Sequence, residues 1–271
     1  MPELPEVETT KRGIEPHIKN QSVTKVIVRN GKLRWPVPEN LDKLLVKHKV
    51  LEVSRRAKYL LIKFSHGTLI LHLGMSGSLR IVSAKEPALF HDHIDIVFGN
   101  GQCLRFRDPR RFGSCLWCDE EILKHKLLIK LGPEPLTEDF NANQLHKTCS
   151  NRTRSIKQHI MDNHVVVGVG NIYANEALFT AGINPKRAAG KISLKRLSLL
   201  TKTIKVVLKE AIEQGGTTLK DFANVDGNPG YFAQKLNVYG LAGKPCQKCK
   251  TTINKITQGQ RSSFYCPQCQ R

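Results

Sequence analysis

The 271-residue sequence has no apolar run long enough to cross a bilayer. Stretches such as Tyr59–Ile62 and Val165–Val169 fall far short of the roughly 18 residues a span requires. It also lacks a basic, then greasy leader. The chain opens MPELPEVET, acidic from its third residue, so the expectation is a cytoplasmic protein with no membrane partner. Acidic residues are scarce, 23 Asp and Glu against 43 Lys and Arg, and a net charge of +20 calls for a polyanionic partner. Charge alone names no activity, since a basic ribosomal-type protein would satisfy it equally. Ordinary proportions of hydrophobic (40%) and charged (24%) residues exclude global disorder, and the length accommodates two domains.

Periodicity divides the chain. Residues 2–18 carry Leu4, Val7 and Ile14 at helical spacing, with Gly13 and Pro16 expected to close the stretch. Short β-branched runs follow at 22–29, 50–54, 59–64, 68–73, 79–82, 94–98 and 102–107. Turn signals such as Asn30-Gly31, His66-Gly67 and Asn100-Gly101 separate them, the rhythm of a β-sandwich or barrel. Only Leu41–His48 interrupts with a helical pattern. Gly132-Pro133-Glu134-Pro135 reads as a linker because its prolines break helix and ladder alike. Beyond it, 141–149, 156–161, 172–180 and 194–214 read as helices, with Gly182 and Gly215-Gly216 where C-terminal caps belong. Residues 217–234 lose periodicity and read as a loop. The expected class is α+β: an N-terminal β-sandwich with an N-terminal helix (1–131), a linker (132–140) and a helical domain (141–236). A zinc-bound β-hairpin (237–271) ends the chain.

That last assignment rests on Cys246-x2-Cys249 and Cys266-x2-Cys269, sixteen residues apart. Two such knuckles complete a tetrahedral shell around Zn2+, and a shell of four thiolates leaves no open position for water, so the ion is structural. About 35 residues bury too little for a core of their own, and the metal supplies the folding energy. Two disulfides are the alternative reading. Residues 237–271 hold six cations and no acid, which suits a nucleic-acid reader. Cys115 and Cys118 share the spacing but lie in a strand-like stretch, where side chains three apart face opposite ways. They read as buried thiols, as do Cys103 and Cys149.

Pro2 is the second chemical signal. Proline after the initiator Met is compatible with removal of that Met, which exposes a secondary amine. An α-amine of pKa roughly 7.7–8.0 is partly neutral in the cytosol, and its attack on an aldehyde-like carbon gives an iminium ion. Glu3 and Glu6 stand beside it to move protons. The plainer reading is a helix start, where proline and acids are both favoured.

MPELPEVET, Arg56-Ala-Lys-Tyr59, His72-Leu-Gly-Met-Ser-Gly77, Asp108-Pro-Arg-Arg-Phe-Gly113, Gly168-Val-Gly-Asn-Ile-Tyr173 and the finger run in order from Pro2 to Cys269. Together they make the chain resemble bacterial formamidopyrimidine-DNA glycosylase. The endonuclease VIII branch typically opens Pro-Glu-Gly-Pro-Glu, and here residue 4 is Leu. The resemblance implies a bifunctional glycosylase/AP lyase of base-excision repair. Such an enzyme excises 8-oxoguanine and formamidopyrimidines from double-stranded DNA, acts on abasic sites and cuts by β,δ-elimination. It implies Pro2 as nucleophile on C1′, Glu3 as the acid that opens the sugar, and Glu6 as a positioning group. Lys58 assists β-elimination, and Arg261 grips the lesion's phosphates and assists δ-elimination. Met75, Arg110 and Phe112 fill the void left by the extruded nucleotide, Arg110 facing the orphaned cytosine. His91, Arg152, Lys157 and Asn171 match DNA-contacting positions. Asn171 read bare is a helix N-cap, and His72 and His91 read bare are structural histidines. The loop 217–234 corresponds to the lesion-capping loop, with Tyr231 near the flipped base; Asn228 and residues 223–225 lie in its variable part. One groove needs no second subunit, so a monomer is expected. A non-catalytic zinc-finger protein that binds damaged duplex is the rival reading, and Pro2, Glu3 and Lys58 separate the two.

Overall fold

The computed structural model describes residues 2–215 and 236–271. Contacts divide these into two units, one through Ile129 and one from Lys130 onward. The expected lesion-capping loop, 217–234 with Tyr231 and Asn228, lies outside the described residues.

The first unit opens with helix α1 (Leu4–Ile18). It ends at Ile18, as the 2–18 stretch predicts, with Gly13 and Pro16 inside it. Pro16 forfeits one backbone donor inside the helix, but Ile14 and Ile18 on either side of it are wholly buried, and that packing carries the helix on to Ile18. Next come β1 (Val23–Val28), a short α2 (Leu41–Leu45), β2 (Glu52–Arg56), β3 (Tyr59–Phe64) and β4 (Gly67–His72). Then follow β5 (Ser78–Ser83), β6 (Asp92–Phe98), β7 (Gln102–Arg107) and β8 (Ser114–Cys118). They form two antiparallel four-stranded sheets, β1-β6-β7-β5 and β2-β3-β4-β8. Alternation explains the core: Leu60, Ile62 and Phe64 of β3 meet Ile94, Ile96 and Phe98 of β6, with Val7, Ile14 and Ile18 of α1 in the same apolar cluster. The β-sandwich expected from the rhythm of short strands is what the chain builds.

The second unit is helical: α3 (Ala142–Cys149), α4 (Ile156–Ile160), α5 (Asn171–Thr180) and α6 (Leu194–Glu213). Asn141 caps α3 by accepting the Gln144 N–H at 3.0 Å, and Ser155 caps α4 by accepting from Gln158 at 3.3 Å. Gly182 and Gly215 follow α5 and α6 at φ +66° and +81°, the left-handed turn that ends a helix without a Cβ penalty. A hairpin, β9 (Asn254–Gln258) and β10 (Arg261–Tyr265), completes the chain through a two-residue turn. Both turn residues, Gly259 and Gln260, have positive φ. No helix among the described residues is long and apolar enough to cross a membrane.

Candidate active site and nucleic-acid interface

Helix α1 fixes the head of the chain. Pro5 sits in the first turn, where its missing N–H costs nothing, and the Glu6 carboxylate accepts the Glu3 N–H at 2.8 Å. Pro2, Glu3 and Glu6 are all buried. One turn further on, Glu8 accepts from Arg55 Nε at 2.9 Å, and Arg55 Nη1 donates to the Ala57 carbonyl at 2.8 Å. Burial pushes the Glu8 carboxyl up, but Arg55 and then Arg12 more than offset it and hold it below its ordinary value. Ala57 (φ +54°) and Lys58 are the two-residue connection between β2 and β3. A mostly buried ion pair thus ties the helix that follows Pro2 and Glu3 to the strand end beside the turn that carries Lys58.

Near that turn lies His72, paired across the ladder with Tyr59, the ring centroids 4.9 Å apart. Burial, then the charges of Lys58 and Arg34, push its pKa down to about 4. Neutral at physiological pH, its Nδ1 accepts the Gly74 N–H at 3.0 Å and shapes the turn 73–77.

That turn holds half-buried Met75. A second turn, 108–113, holds exposed Arg110 and Phe112, with the Arg110 guanidinium 4.9 Å from the Phe112 ring centroid. Both turns converge on Asp108, which is wholly buried. One carboxylate oxygen accepts the Ser76 hydroxyl at 2.7 Å and the other accepts the Gly113 N–H at 2.7 Å. Ser76 in turn accepts the Arg110 N–H at 3.1 Å. A Cβ at Gly74 would stand 2.4 Å from the Phe112 backbone, so only glycine lets the turns approach this closely. The three residues expected to fill a helical void are thus held by one carboxylate. His91, half-buried, joins the group because its carbonyl accepts the Asp108 N–H at 3.1 Å.

In the second unit, Arg152 is exposed in the turn after α3. Asn171 is the first residue of α5, with Gly170, in extended conformation, at the cap position expected for Asn171. Lys157, expected from the family resemblance at a DNA-contacting position, is buried in this structure. It is 1% exposed, and its ammonium donates to the Ser262 carbonyl at 2.8 Å and the Ser263 hydroxyl at 2.7 Å, fastening α4 to β10. Arg261 is exposed at the hairpin tip. The four thiols of Cys246, Cys249, Cys266 and Cys269 lie within 4.8 Å of one another. The separations Cys249–Cys266 (3.4 Å) and Cys246–Cys269 (3.9 Å) are too long for disulfides. They suit a tetrahedron with zinc–sulfur bonds of about 2.3 Å. The set fits one structural zinc.

Residues 1–115 match the formamidopyrimidine-DNA glycosylase N-terminal domain and 131–223 the H2TH domain of the same enzymes. Residues 243–271 match a zinc finger found in these glycosylases and in isoleucyl-tRNA synthetase. The chain is 58% identical to the formamidopyrimidine-DNA glycosylase of Stutzerimonas stutzeri over the full length of both. The chain belongs to the formamidopyrimidine-DNA glycosylase family. The counterpart in Idiomarina loihiensis is likewise 58% identical over both full lengths. Among solved structures, the Thermus thermophilus protein aligns at TM-score 0.88 and 36% identity, covering 99% of this chain and 98% of that one. A Lactococcus lactis family member in complex with abasic-site DNA aligns at 0.91 and 32%, covering both chains entirely. The chain is therefore a DNA glycosylase of base-excision repair.

Against the family frame, sequence reasoning passed over three polar side chains that organise the site. Asp108 stands in the sequence only as the first letter of the Asp108-Pro-Arg-Arg-Phe-Gly113 motif. Asn175 accepts the Phe264 N–H at 2.7 Å, and the Glu176 carboxylate accepts the backbone N–H groups of Asn237, Val238 and Tyr239 at 2.8–3.0 Å. An acid and an amide inside an apolar helix were the available signal, because a buried polar group must find partners. Cys115 and Cys118 lie on β8 and not at a metal; burial pushes the Cys115 thiol up to about 12, leaving it protonated and inert.

Proposed function

We propose that this chain excises oxidised purines, 8-oxoguanine and formamidopyrimidines, from double-stranded DNA and then cleaves the strand at the resulting abasic site. Loss of Met1 exposes the Pro2 secondary amine. Its lone pair attacks C1′ and displaces the base, which leaves with the glycosidic electrons and takes up the amine's proton. Glu3 then protonates the sugar oxygen as the nitrogen lone pair closes the C1′–N double bond and opens the ring. The iminium ion left on C1′ acidifies the neighbouring carbon. Lys58 promotes loss of the 3′-phosphate, and Arg261 assists loss of the 5′-phosphate. Glu6 holds the helix start so that Glu3 keeps its station. Met75, Arg110 and Phe112 occupy the gap that extrusion opens, Arg110 donating to the unpaired cytosine, which offsets part of the few kcal/mol of unstacking, of order, that flipping costs. His91, Arg152 and Asn171 hold the backbone. Lys157 reaches the DNA only indirectly, by fastening the hairpin that carries Arg261. The domain division is 1–131, 132–140, 141–236 with the capping loop, and 237–271. The enzyme works as a monomer in the cytoplasm, on the nucleoid through its substrate.

One observation carries this reading: a proline–glutamate pair at the head of a buried helix, tied by Glu8–Arg55 to the turn that presents Lys58. A damaged-DNA binder without chemistry needs the charge, the finger and the wedge but not that arrangement. The test is borohydride reduction with a duplex containing 8-oxoguanine or an abasic site, followed by peptide mass analysis. The expected result is a reduced adduct on Pro2, abolished when Met1 is retained. Strand cleavage at full rate by Met1-retaining protein would overturn the proposal.

A further inference from the structure

The most exposed large apolar side chain among the described residues is Phe90, at 92%, with Leu89 beside it at 57%. They stand at the tip of the segment between β5 and β6, and that segment is not slack. Buried Arg105 donates through Nε and Nη2 to Asp95, both at 2.9 Å, and spends its remaining reach on the carbonyls of Glu86 (2.9 Å) and Pro87 (3.1 Å). Asp92, also buried, accepts the Leu89 N–H at 2.8 Å. On the far side of the tip, the His91 carbonyl accepts from Asp108, the same residue that gathers the Met75 and Arg110–Phe112 turns. Phe90 meets His91 edge-on, centroids 4.7 Å apart. Beside this tip opens a cleft of about 560 Å³, lined by Arg29, Asn30, Phe90, His91, His93 and Arg111 among others.

Buried Arg105 and Asp92 fix the backbone on the approach to Phe90, whose ring stands in water. The cleft beside it mixes apolar walls (Ala88, Leu89, Pro109) with the guanidinium groups of Arg29 and Arg111. A nucleic acid strand supplies both complements: a phosphate for guanidinium groups and a flat base for the ring. We propose that this cleft receives one nucleotide of the DNA flanking the lesion, its base stacked on Phe90 and its phosphate drawn to Arg111, beside the Arg29–Asp95 ion pair (2.7 Å). The contact extends the interface past the Arg110–Phe112 turn, to which the tip is bonded through Asp108. It rests on the glycosylase reading above, and Arg105, Asp95 and Asp92 are its positioning residues.

The test uses the full chain with zinc bound and a duplex bearing a non-cleavable tetrahydrofuran abasic analogue, titrated over a range of salt. Phe90→Ala should weaken binding about 5- to 100-fold, the range for losing one base–aromatic stack, with the salt slope unchanged. Arg111→Ala should instead lower the salt slope by about one, as expected for one phosphate contact. Phe90→Trp should restore affinity, and its added emission, taken against the parent protein, should change on binding. Affinity of Phe90→Ala within twofold of the parent, or Phe90→Trp emission indifferent to DNA, would overturn the proposal and leave the tip to a protein partner. Borohydride trapping on a second duplex, carrying 8-oxoguanine or a natural abasic site, should persist in every variant at saturating DNA. Its absence in the unsubstituted chain would sink the glycosylase reading and not this one.

Discussion

In the sandwich, Asp108 brings Ser76, Arg110 and Gly113 together from two turns, beneath a large apolar core drawn from both sheets and α1. In the finger, 237–271, the corresponding cluster amounts to a few side chains around Val238, Ile253, Phe264 and the cysteines. The sandwich shapes its loops with buried hydrogen bonds because hydrophobic burial already stabilises the frame. The finger has no such reserve. It relies on the metal, on Glu176 and Asn175 of α5, and on the Lys157 ammonium to hold Arg261 in place. A region with its own core tolerates local damage; a region folded by an ion loses everything with the ion.

Removing the zinc is the most severe way to probe that contrast. Chelation, or Cys266→Ser, should unfold 237–271, since structural zinc in such modules contributes apparent energies of about 10–16 kcal/mol. Hydrogen exchange should show the loss of protection confined to β9, β10 and neighbouring segments, while amides of β3, β4, β6 and β7 stay protected. Cooperative loss across both sheets would break the contrast. The next largest effect should come from within the sandwich. Asp108→Ala strands the Gly113 N–H and the Ser76 hydroxyl in a dry site, at about 1.5–3 kcal/mol for each charge-assisted bond. The melting temperature should fall, while preference for cytosine opposite the lesion weakens as Arg110 loses its mooring. Asp108→Asn, which keeps an acceptor, should recover part of both. An unchanged base preference would mean that Arg110 is positioned by something other than this carboxylate.

The smallest of the three effects is a pH dependence. His72 titrates near 4 in the folded chain against about 6.5 when unfolded, so below pH 6.5 the unfolded state binds the extra proton. Stability should be full above that value and fall by up to about 3 kcal/mol as the pH drops toward 4. His72→Gln should flatten this acid limb in denaturant melts of the sandwich. A limb of unchanged steepness would place its origin elsewhere. Protonating Nδ1 also ends its acceptance from Gly74, so the turn that holds Met75 should loosen over the same window.

Much of the architecture was legible because its signals are local. Strands 59–64 and 102–107 coincide with runs of β-branched and aliphatic residues, and the hairpin turn falls at Gly259. The zinc ligands follow from spacing alone, since a tetrahedral shell needs paired thiolates on tight turns. Less local features leave no such signal. By propensity Pro16 disfavours a helix interior, but buried Ile14 and Ile18 outweigh one lost backbone bond. The burial of Lys157 depends on Ser262 and Ser263, more than a hundred residues away, which accept hydrogen bonds from its ammonium.

By itself, then, the sequence determined the class of each region, the metal site and the proline at the chain's head, because periodicity, thiol spacing and terminal chemistry are properties of neighbours along a chain. Only the tertiary structure decided that Asp108 would gather the turns of Met75 and Phe112, that Arg105 would hold the backbone of Glu86 and Pro87, and that Glu8 would join α1 to Arg55 beside the turn of Lys58. Those choices belong to buried charges. A buried charge must find its partners wherever folding brings them, and nothing in its flanking residues announces which they are.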